Sequence, residues 1–261
     1  MKHITAEADG AVGIITIDRR ERFNSLDVET ARELRKAGLQ MARDGSIRAV
    51  VLRGANGVFC SGADLKDIRS ASPPYGEGFK EILEYIHSTI SEIRRAAKPF
   101  LAAVDGIAAA GGFGLAMSCD LVFASDRATF EWAYAKTGLT GAESSTFMLP
   151  RLAGLRGAFE LLFLNPRLTA ERALQMGLIT AIYPRDTFDA DVLAVARKLA
   201  SGPTEAMGIA KELINQAAGM DRLDVHLDRE LENLTRIADG ANFAEGIDAF
   251  FGKREARFGA R

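Results

Sequence analysis

The stretch Val104-Asp-Gly-Ile-Ala-Ala-Ala-Gly-Gly-Phe-Gly-Leu-Ala-Met-Ser-Cys-Asp120 decides how this chain folds. The apolar run at 99–104 leads into it with the length of a buried strand, and residues 114–118 can wind as a helix. Between them, Gly111 and Gly112 let the backbone approach a ligand that a side chain would block. Backbone N–H groups at such a helix start lack intrahelical partners and lie at the positive end of the helix dipole. The stretch therefore predicts either an anion-binding turn or a close-packed turn between a helix and a sheet.

A second small-residue turn follows another predicted strand. Residues 49–53 have the composition of a strand, and the chain then passes through Ser61-Gly-Ala-Asp64, where the backbone is again accessible. Two such turns can each supply one N–H to a single oxygen atom, which is the geometry of an oxyanion hole. The two turns together favour a site at which a carbonyl oxygen gains negative charge.

Composition and charge argue against several classes of protein. A chain of 261 residues can bury a full core, and 33 Lys and Arg against 35 Asp and Glu give no argument for nucleic acid binding. We expect no secretory signal, because no charged segment with an apolar core precedes the first strand. We also expect no membrane span, because the apolar runs fall short of the roughly 20 residues that a span needs. Cys60 and Cys119 lack the spacing of a metal site or a disulfide framework. We predict two reduced core thiols, no metal, and a cytoplasmic protein.

The order of the predicted elements indicates repeated strand-strand-helix units. Two strands form a hairpin around Asp9 and Gly10, and a helix capped by Asp27 follows. Repetition of such units predicts a spiral of stacked sheets, which is an α/β fold. We divide the chain into a core, residues 1–200, and a C-terminal helical region, residues 201–261, that packs on the core and on neighbouring subunits.

Five ordered motifs resemble the enoyl-CoA hydratase/isomerase (crotonase) superfamily, over nearly the whole chain. They are Arg22-Phe-Asn-Ser-Leu26, Phe59-Cys-Ser-Gly-Ala-Asp-Leu65, residues 98–112, Ala173-Leu-Gln-Met-Gly-Leu-Ile179 and Glu245-Gly-Ile-Asp-Ala-Phe-Phe-Gly-Lys-Arg254. The resemblance implies the crotonase-like fold, an acyl-CoA substrate, and no cofactor beyond the CoA moiety of that substrate. It also implies assembly into a homotrimer or a dimer of trimers.

The resemblance assigns residues to the oxyanion hole and to the CoA site. Ala63 and Gly111 match family positions whose backbone N–H groups polarise the thioester carbonyl. The residues expected along the CoA are Arg22, Phe23, Ser25, Ser61, Ala63, Asp64, Leu65, Lys66, Phe251 and Lys253. Cationic side chains suit a phosphorylated group, although each of these side chains can also be an ordinary surface residue. The Asp64 carboxylate can instead accept backbone N–H groups and hold its own turn.

The chain departs from the hydratase pattern at both expected glutamates. Gly114 and Tyr134 stand where hydratases of the superfamily carry the two acids that activate water and protonate carbon. Glu143 lies one residue after the place where isomerases and dehalogenases of the superfamily carry a carboxylate, and one residue turns a helical side chain by about 100°. Glu143 can also cap the helix predicted at 144–152. Burial would raise its pKa and favour acid or base catalysis, whereas exposure would not.

Aromatic residues near these positions predict the shape of the acyl pocket. Phe113, Gly114 and Trp132 are expected to line it with Tyr134, which favours a flat aromatic or cyclic acyl group, although two aromatic residues on a strand can also belong to the core. Glu131 is expected on the strand face away from Glu143.

Histidines have lesser roles in this prediction. His87 lies one turn before the position of a dehalogenase-like histidine, where this chain has Ser91, so we expect a surface or packing role for His87. His3 and His226 have no motif around them.

The sequence thus predicts an acyl-CoA enzyme that stabilises a thioester enolate between Ala63 and Gly111. Glu143 is its proposed acid and base, and one carboxylate suits isomerisation better than hydration. The alternatives are a thioester hydrolase, a dehalogenase, a hydratase with a displaced glutamate, and a catalytically silent acyl-CoA-binding protein. A buried Glu143 favours an enzyme, and an exposed, ion-paired Glu143 favours the silent binding protein.

Overall fold

The computed structural model describes residues 1–259, so the last two residues of the region predicted at 201–261 lie outside the described residues. The strands are Ile4–Asp9 (β1), Val12–Ile17 (β2), Ala49–Gly54 (β3), Phe100–Val104 (β4), Ile107–Ala109 (β5), Leu121–Ser125 (β6), Thr129–Glu131 (β7), Leu168–Thr169 (β8) and Ala181–Tyr183 (β9). The α-helices are Val28–Arg43 (α1), Leu65–Ser70 (α2), Gly76–Arg95 (α3), Gly111–Met117 (α4), Ser145–Leu152 (α5), Gly154–Leu164 (α6), Ala170–Gln175 (α7), Phe188–Ala200 (α8), Thr204–Ala217 (α9), Leu223–Ala238 (α10) and Ala241–Gly252 (α11). The chain has the predicted α/β fold.

Two sheets form the spiral. The larger sheet has the strand order β1-β2-β3-β4-β6-β9, and only its β1-β2 pair is antiparallel. The smaller sheet has the order β5-β7-β8. Consecutive strands β4 and β5 enter different sheets, and β6 and β7 repeat this step after α4. These two turns of the chain each add one strand to each sheet, whereas β1, β2 and β3 all belong to the larger sheet.

The central strands of the larger sheet, β2, β3, β4 and β6, are largely buried on both faces, as their continuous apolar sequences require. Side chains alternate between the faces: Val50 and Leu52 of β3 join the core formed with α1 and α3, whereas Val51 joins the one formed with α8. α1 begins at Asp27, whose carboxylate accepts the N–H of Thr30 at 2.7 Å. The predicted cap is therefore present, and the strand ends are held in a rigid framework.

The chain from residue 166 to residue 252 is mostly helical, but it also contains two short strands, β8 and β9, that the sequence analysis missed. β8 pairs with β7, and β9 completes the larger sheet beside β6, so this part also contributes strands to the core. Further on, α10 packs against α3 and α5, and its buried Leu223, Leu227 and Leu234 belong to the same hydrophobic core as β3. The division at residue 200 falls between α8 and α9 and stays a prediction.

Exposed apolar side chains lie on α6. Leu155, Phe159, Phe163 and Leu164 have 46–75% of their surface accessible in the single chain. Contiguous apolar surface of this kind marks protein interaction sites. Assembly into trimers stays a prediction.

Two further predictions concern the cysteines and the possibility of a membrane-spanning helix. Cys60 and Cys119 are both buried and unpaired, as predicted. Burial raises the pKa of each thiol to about 12, so both stay protonated. None of the described helices is long and apolar enough to cross a membrane.

Candidate active site

The turn between β5 and α4 presents one backbone donor to a cavity. Ala110 has φ 47° and ψ −119°, a conformation that residues with a side chain rarely adopt, and strain of this kind concentrates at functional sites. Its N–H donates to the Glu131 carbonyl at 3.1 Å. Gly111 then opens α4, three residues earlier than the helix predicted from Gly114. Within residues 1–259 the Gly111 N–H has no hydrogen-bond acceptor.

The turn at Ser61–Asp64 presents a second donor. Leu26 N–H donates to the Gly62 carbonyl at 2.8 Å, and Asp64 N–H donates to the Leu26 carbonyl at 2.9 Å. These two hydrogen bonds use the Gly62 carbonyl and the Asp64 N–H. The Ala63 N–H between them has no acceptor in the described part of the chain. A Cβ on Gly62 would lie 3.1 Å from Gly111 N, so the two turns are in contact. Both unpaired donors border one cavity.

Asp64 and Ser25 hold the second turn from behind. The Asp64 carboxylate accepts the N–H groups of Lys66 and Asp67 at 3.0 and 3.2 Å, as the sequence analysis expected of its turn. It also binds Arg19 Nη1 at 2.6 Å, and that same nitrogen donates to Ser25 Oγ at 3.1 Å. Both side chains are buried in this network, and neither lines the cavity.

The other residues expected along the CoA form two groups, and Phe251 belongs to neither. Three of them line the cavity: Ser61, Ala63 and Leu65. Four lie outside it on the partly or fully exposed surface: Arg22, Phe23, Lys66 and Lys253. Phe251 is half-buried under the Arg69 guanidinium, 4.9 Å from its ring centre, and its exposed neighbour Phe250 lines the cavity instead.

The cavity between the two turns has a volume of about 220 Å³. Its wall is largely apolar, and the remaining residues that form it are Phe79, Ile107, Ala109, Ala110, Ala133, Tyr134, Lys136, Thr137, Leu139, Glu143, Arg167, Leu234, Phe250 and Glu131. An enclosed apolar space beside two free N–H donors can hold the acyl part of a thioester.

The prediction that Phe113, Gly114 and Trp132 line this cavity is wrong. Phe113 belongs to α4 and is fully buried, in edge-to-face contact with Phe130. β7 ends at Glu131, so Trp132 does not share a strand face with Tyr134, and its indole N–H donates to Ser145 Oγ at 3.3 Å. Tyr134 begins a short 3₁₀ helix, and of the four residues predicted for the acyl pocket it alone reaches the cavity.

Glu143 lies directly over Gly111. A Cβ on Gly111 would lie 2.6 Å from Glu143 Oε1, so the carboxylate faces the backbone of the first turn. The Glu143 side chain is 3% exposed, and no Lys, Arg or His side chain in residues 1–259 forms a salt bridge with it. The Tyr134 hydroxyl donates to its Oε2. Burial, with a contribution from the charge of Glu230, raises the pKa of Glu143 to about 8 although the Tyr134 hydrogen bond opposes the shift.

The backbone of Glu143 explains the glycine at position 114. A Cβ on Gly114 would overlap the Glu143 carbonyl oxygen and lie 2.9 Å from the Glu143 Cβ. A side chain at 114 and Glu143 in this position therefore exclude each other. The first hydratase glutamate is therefore absent at position 114 because the backbone of Glu143 occupies the space that its side chain would need.

Glu230 is a functional candidate that the sequence analysis missed. It is 5% exposed, and its carboxylate accepts the N–H groups of Ser144 at 2.8 Å and Thr146 at 3.0 Å. The capping role considered for Glu143 thus belongs to Glu230, from another helix. A signal was present: Glu230 follows Leu227 by three residues and precedes Leu234 by four, on the apolar face of α10.

His87 is also closer to the site than expected. Its side chain is buried, which agrees with the packing role and not with the surface role, and the Glu143 N–H donates to its Nε2 at 3.2 Å. Burial and the nearby His226 lower the pKa of His87 to about 3. His87 therefore acts as a neutral acceptor that fixes the backbone of Glu143.

Glu131 borders the cavity as well, which corrects its expected position on the opposite face. Its carboxylate pairs with Lys136, accepts Arg167 Nε at 3.1 Å, and accepts Asn165 Nδ2 at 3.1 Å. Two cations and an amide compensate this carboxylate, so its surroundings differ from those of Glu143.

Comparison with known proteins places these features in a family. The chain matches the enoyl-CoA hydratase/isomerase family model over residues 7–261. It is 34% identical to 1,2-epoxyphenylacetyl-CoA isomerase of Escherichia coli (strain K12), covering 99% of this chain and 98% of that protein. It is 32% identical to 4-chlorobenzoyl coenzyme A dehalogenase-2 of an Arthrobacter species, covering 99% of this chain and 93% of that protein.

A solved structure agrees with these relatives. The crystal structure of an enoyl-CoA hydratase from Mycobacterium avium subsp. paratuberculosis K-10 superposes with a TM-score of 0.89 at 31% identity, covering 99% of both chains. This chain belongs to the enoyl-CoA hydratase/isomerase family and has the crotonase fold. It is an enzyme of that family.

Proposed function

We propose that this enzyme moves a proton between two carbons of an acyl-CoA thioester through an enolate, with Glu143 as acid and base. The observation that carries the proposal is the buried Glu143 carboxylate, placed over Gly111 and without a cationic partner in residues 1–259. The thioester oxygen accepts the free N–H groups of Ala63 and Gly111. Each donor of an oxyanion hole is worth about 2.7–4 kcal/mol of transition-state stabilisation.

In the proposed reaction Glu143 is the one group that takes a proton from the substrate and returns it. Two hydrogen bonds to the thioester oxygen make the protons on carbons conjugated with it more acidic. The Glu143 carboxylate takes one such proton, and the electron pair of the broken C–H bond forms the enolate. Protonated Glu143 then returns the proton to another carbon of the conjugated system, and the double bond moves as the thioester re-forms. No water, oxidant or second acid is consumed.

The pKa of Glu143 favours this chemistry over displacement. With a pKa of about 8, Glu143 exchanges a proton near neutral pH, where a general acid or base is most effective. The proposed reaction needs Glu143 to hold the proton between two steps, whereas the nucleophilic carboxylate of a dehalogenase mechanism does not carry a proton. Hydration would require a second proton carrier, and position 114 has no room for one beside Glu143.

The cavity supports a short or cyclic acyl group. A closed apolar cavity of about 150 Å³ binds benzene in another protein, and the space here is about 220 Å³. Tyr134 supplies an aromatic wall, whereas Phe113 and Trp132 contribute none. Two of the relatives carry phenylacetyl and chlorobenzoyl groups in their names. We assign the substrate to the aromatic or cyclic acyl-CoA esters.

The CoA moiety extends from the cavity over the surface that carries Arg22, Lys66 and Lys253. These exposed cations suit its phosphates. The proposal includes no cofactor other than this CoA, and it places the enzyme in the cytoplasm as a trimer or a dimer of trimers.

The test is turnover of a mixed acyl-CoA panel in heavy-oxygen and deuterated water, followed by mass spectrometry. In heavy-oxygen water we expect a product of unchanged mass, and in deuterated water we expect deuterium uptake at carbon. In Glu143→Gln, product formation and deuterium uptake should both collapse. Oxygen-18 uptake would mean hydration or hydrolysis and would contradict isomerisation. Tighter binding of octanoyl-CoA than of phenylacetyl-CoA would contradict the substrate class.

A further inference from the structure

The segment Glu143–Thr146 has an unusual backbone. Glu143 and Ser144 have φ values of 50° and 61°, so two consecutive residues with side chains occupy the left-handed region. Each such residue costs on the order of 1 kcal/mol or more and persists only where its surroundings hold it. No side chain of the segment caps α5. Groups from other elements must therefore stabilise this conformation.

Glu230 supplies most of that support. Its two carboxylate oxygens divide between the segment's N–H groups, Oε2 accepting from Ser144 at 2.8 Å and Oε1 accepting from Thr146 at 3.0 Å. The Thr146 hydroxyl also donates to Oε1. A carboxylate that accepts several hydrogen bonds at a helix start complements both the orphan donors and the dipole.

Glu230 lies outside the cavity wall, although Leu234, one turn further along α10, is part of it. The titratable groups around Glu230 are His87 from α3, with Nε2 at 4.0 Å, and His226 from α10, with Nε2 at 3.7 Å. Glu143 and Tyr134 are the remaining ones, and both are influenced by its charge. Glu230 thus acts on the site through the backbone and through its field.

We infer that Glu230 is a positioning residue that holds the Glu143 carboxylate over Gly111 and keeps its proton affinity suited to proton transfer. The inference rests on the proposed function of Glu143. Two properties follow from the same carboxylate. Its hydrogen bonds hold the segment in the left-handed conformation, and its negative charge favours the protonated form of Glu143.

The experiment compares Glu230→Gln with Glu232→Gln, which removes an exposed carboxylate two residues away on the same helix. A glutamine at 230 keeps one acceptor and places an NH₂ against the second N–H donor. We expect kcat to fall roughly 10- to 100-fold, the scale of one lost charged hydrogen bond at a site that needs exact geometry. The acidic limb of the kcat profile, where Glu143 loses the proton that a base must lack, should move to lower pH. Burial still raises the pKa of Glu143 in this variant, but the contribution of the Glu230 charge is gone.

A second readout does not depend on turnover. Amide hydrogen exchange at Ser144 and Thr146 should become about tenfold faster in Glu230→Gln and stay unchanged in Glu232→Gln. Glu230→Asp keeps the charge and shortens the reach, so we expect lower kcat and faster exchange without the shift to lower pH. A merely structural glutamate would give no shift of the pH limb in either variant.

Each failure has its own signature. Wild-type kcat, pH limb and exchange in Glu230→Gln would overturn the inference while the proposed function stands. If Glu230→Gln does not fold, a wild-type kcat in Glu230→Asp would overturn it equally. If the wild-type enzyme converts no acyl-CoA while Ser144 and Thr146 exchange faster in the variant, the proposed function fails and the support of the segment by Glu230 remains.

Discussion

Glu143 and Glu131 are two buried glutamates on the wall of one cavity, and their surroundings are opposite. Both side chains are 3% exposed. Glu131 is paired with Lys136 and Arg167 and bonded to Asn165, whereas the one side chain among residues 1–259 that donates to the Glu143 carboxylate is the neutral phenol of Tyr134. The comparison teaches that burial alone does not make a reactive acid. A reactive carboxylate also needs to lack the cations that would keep it ionised.

Removing each carboxylate separately gives the largest expected difference. Glu143→Gln should lower kcat by about 10²–10⁴-fold with little change in KM, since general acid–base catalysis contributes this much. Glu131→Gln should lower kcat less than about tenfold and act mainly on stability, because it leaves two half-exposed cations without their partner. Steady-state kinetics measures both variants, and an equal fall in kcat would contradict the distinction between the two glutamates.

Gly114→Ala tests the space that Glu143 occupies. The new methyl group would overlap the Glu143 carbonyl, and backbone atoms cannot move aside as a flexible side chain can. We expect destabilisation of about 1–3 kcal/mol, as in other overpacked sites, with a fall of about 2–4 °C in Tm per kcal/mol. Gly45→Ala is the control, because nothing lies within 4 Å of a Cβ there. Equal Tm values for the two variants would contradict the packing described here.

The pH dependence of stability follows from the raised pKa of Glu143. Its pKa is about 8 in the folded chain against an ordinary 4.5, so the folded state binds the proton more tightly. The resulting stability is fully present below about pH 4.5 and is lost as the pH rises toward 8. Glu143→Gln lacks this loss and should exceed the wild type in Tm by several degrees at about pH 9, and by much less at about pH 5. Burial also raises the pKa of Glu230, to about 7, and its titration contributes to the Tm curves of both proteins. Parallel Tm curves would refute the assignment.

Tyr134→Phe should give the smallest effect. The Tyr134 hydroxyl stabilises ionised Glu143, and its loss should raise the pKa of Glu143 further. We expect the acidic limb of the kcat profile to move up by about one pH unit, the equivalent of one hydrogen bond to a charged group. This direction is opposite to that expected for Glu230→Gln. A downward shift in Tyr134→Phe would show that the phenol does not donate to the carboxylate.

The fold was predictable from sequence because its signals are local. Apolar runs at β2, β3 and β4 predict buried strands, Asp27 predicts the start of α1, and small-residue turns mark the ends of strands. The strands β8 and β9 escaped prediction because they are two and three residues long and carry no periodic pattern.

The site was predictable only in part. Ala63, Gly111 and Glu143 lie together as the resemblance and the residue chemistry suggested. Phe113 and Trp132 were misplaced because the chain leaves β7 at Glu131, and a strand pattern extended past that residue assigns the wrong faces. His87 lies 56 residues before Glu143 in the sequence, and Glu230 lies 87 residues after it, yet both contact the Glu143 segment. Nothing local in the sequence links them to Glu143.

The sequence by itself determined the fold class, the two small-residue turns and the loss of both hydratase glutamates. These depend on residue type and spacing, which are visible along the chain. The tertiary structure alone decided that Glu143 is buried without a cation, that its backbone occupies the space at Gly114, and that Glu230 caps the segment. A proton affinity is set by what surrounds a group in space, and the helices that surround Glu143 come from distant parts of the chain.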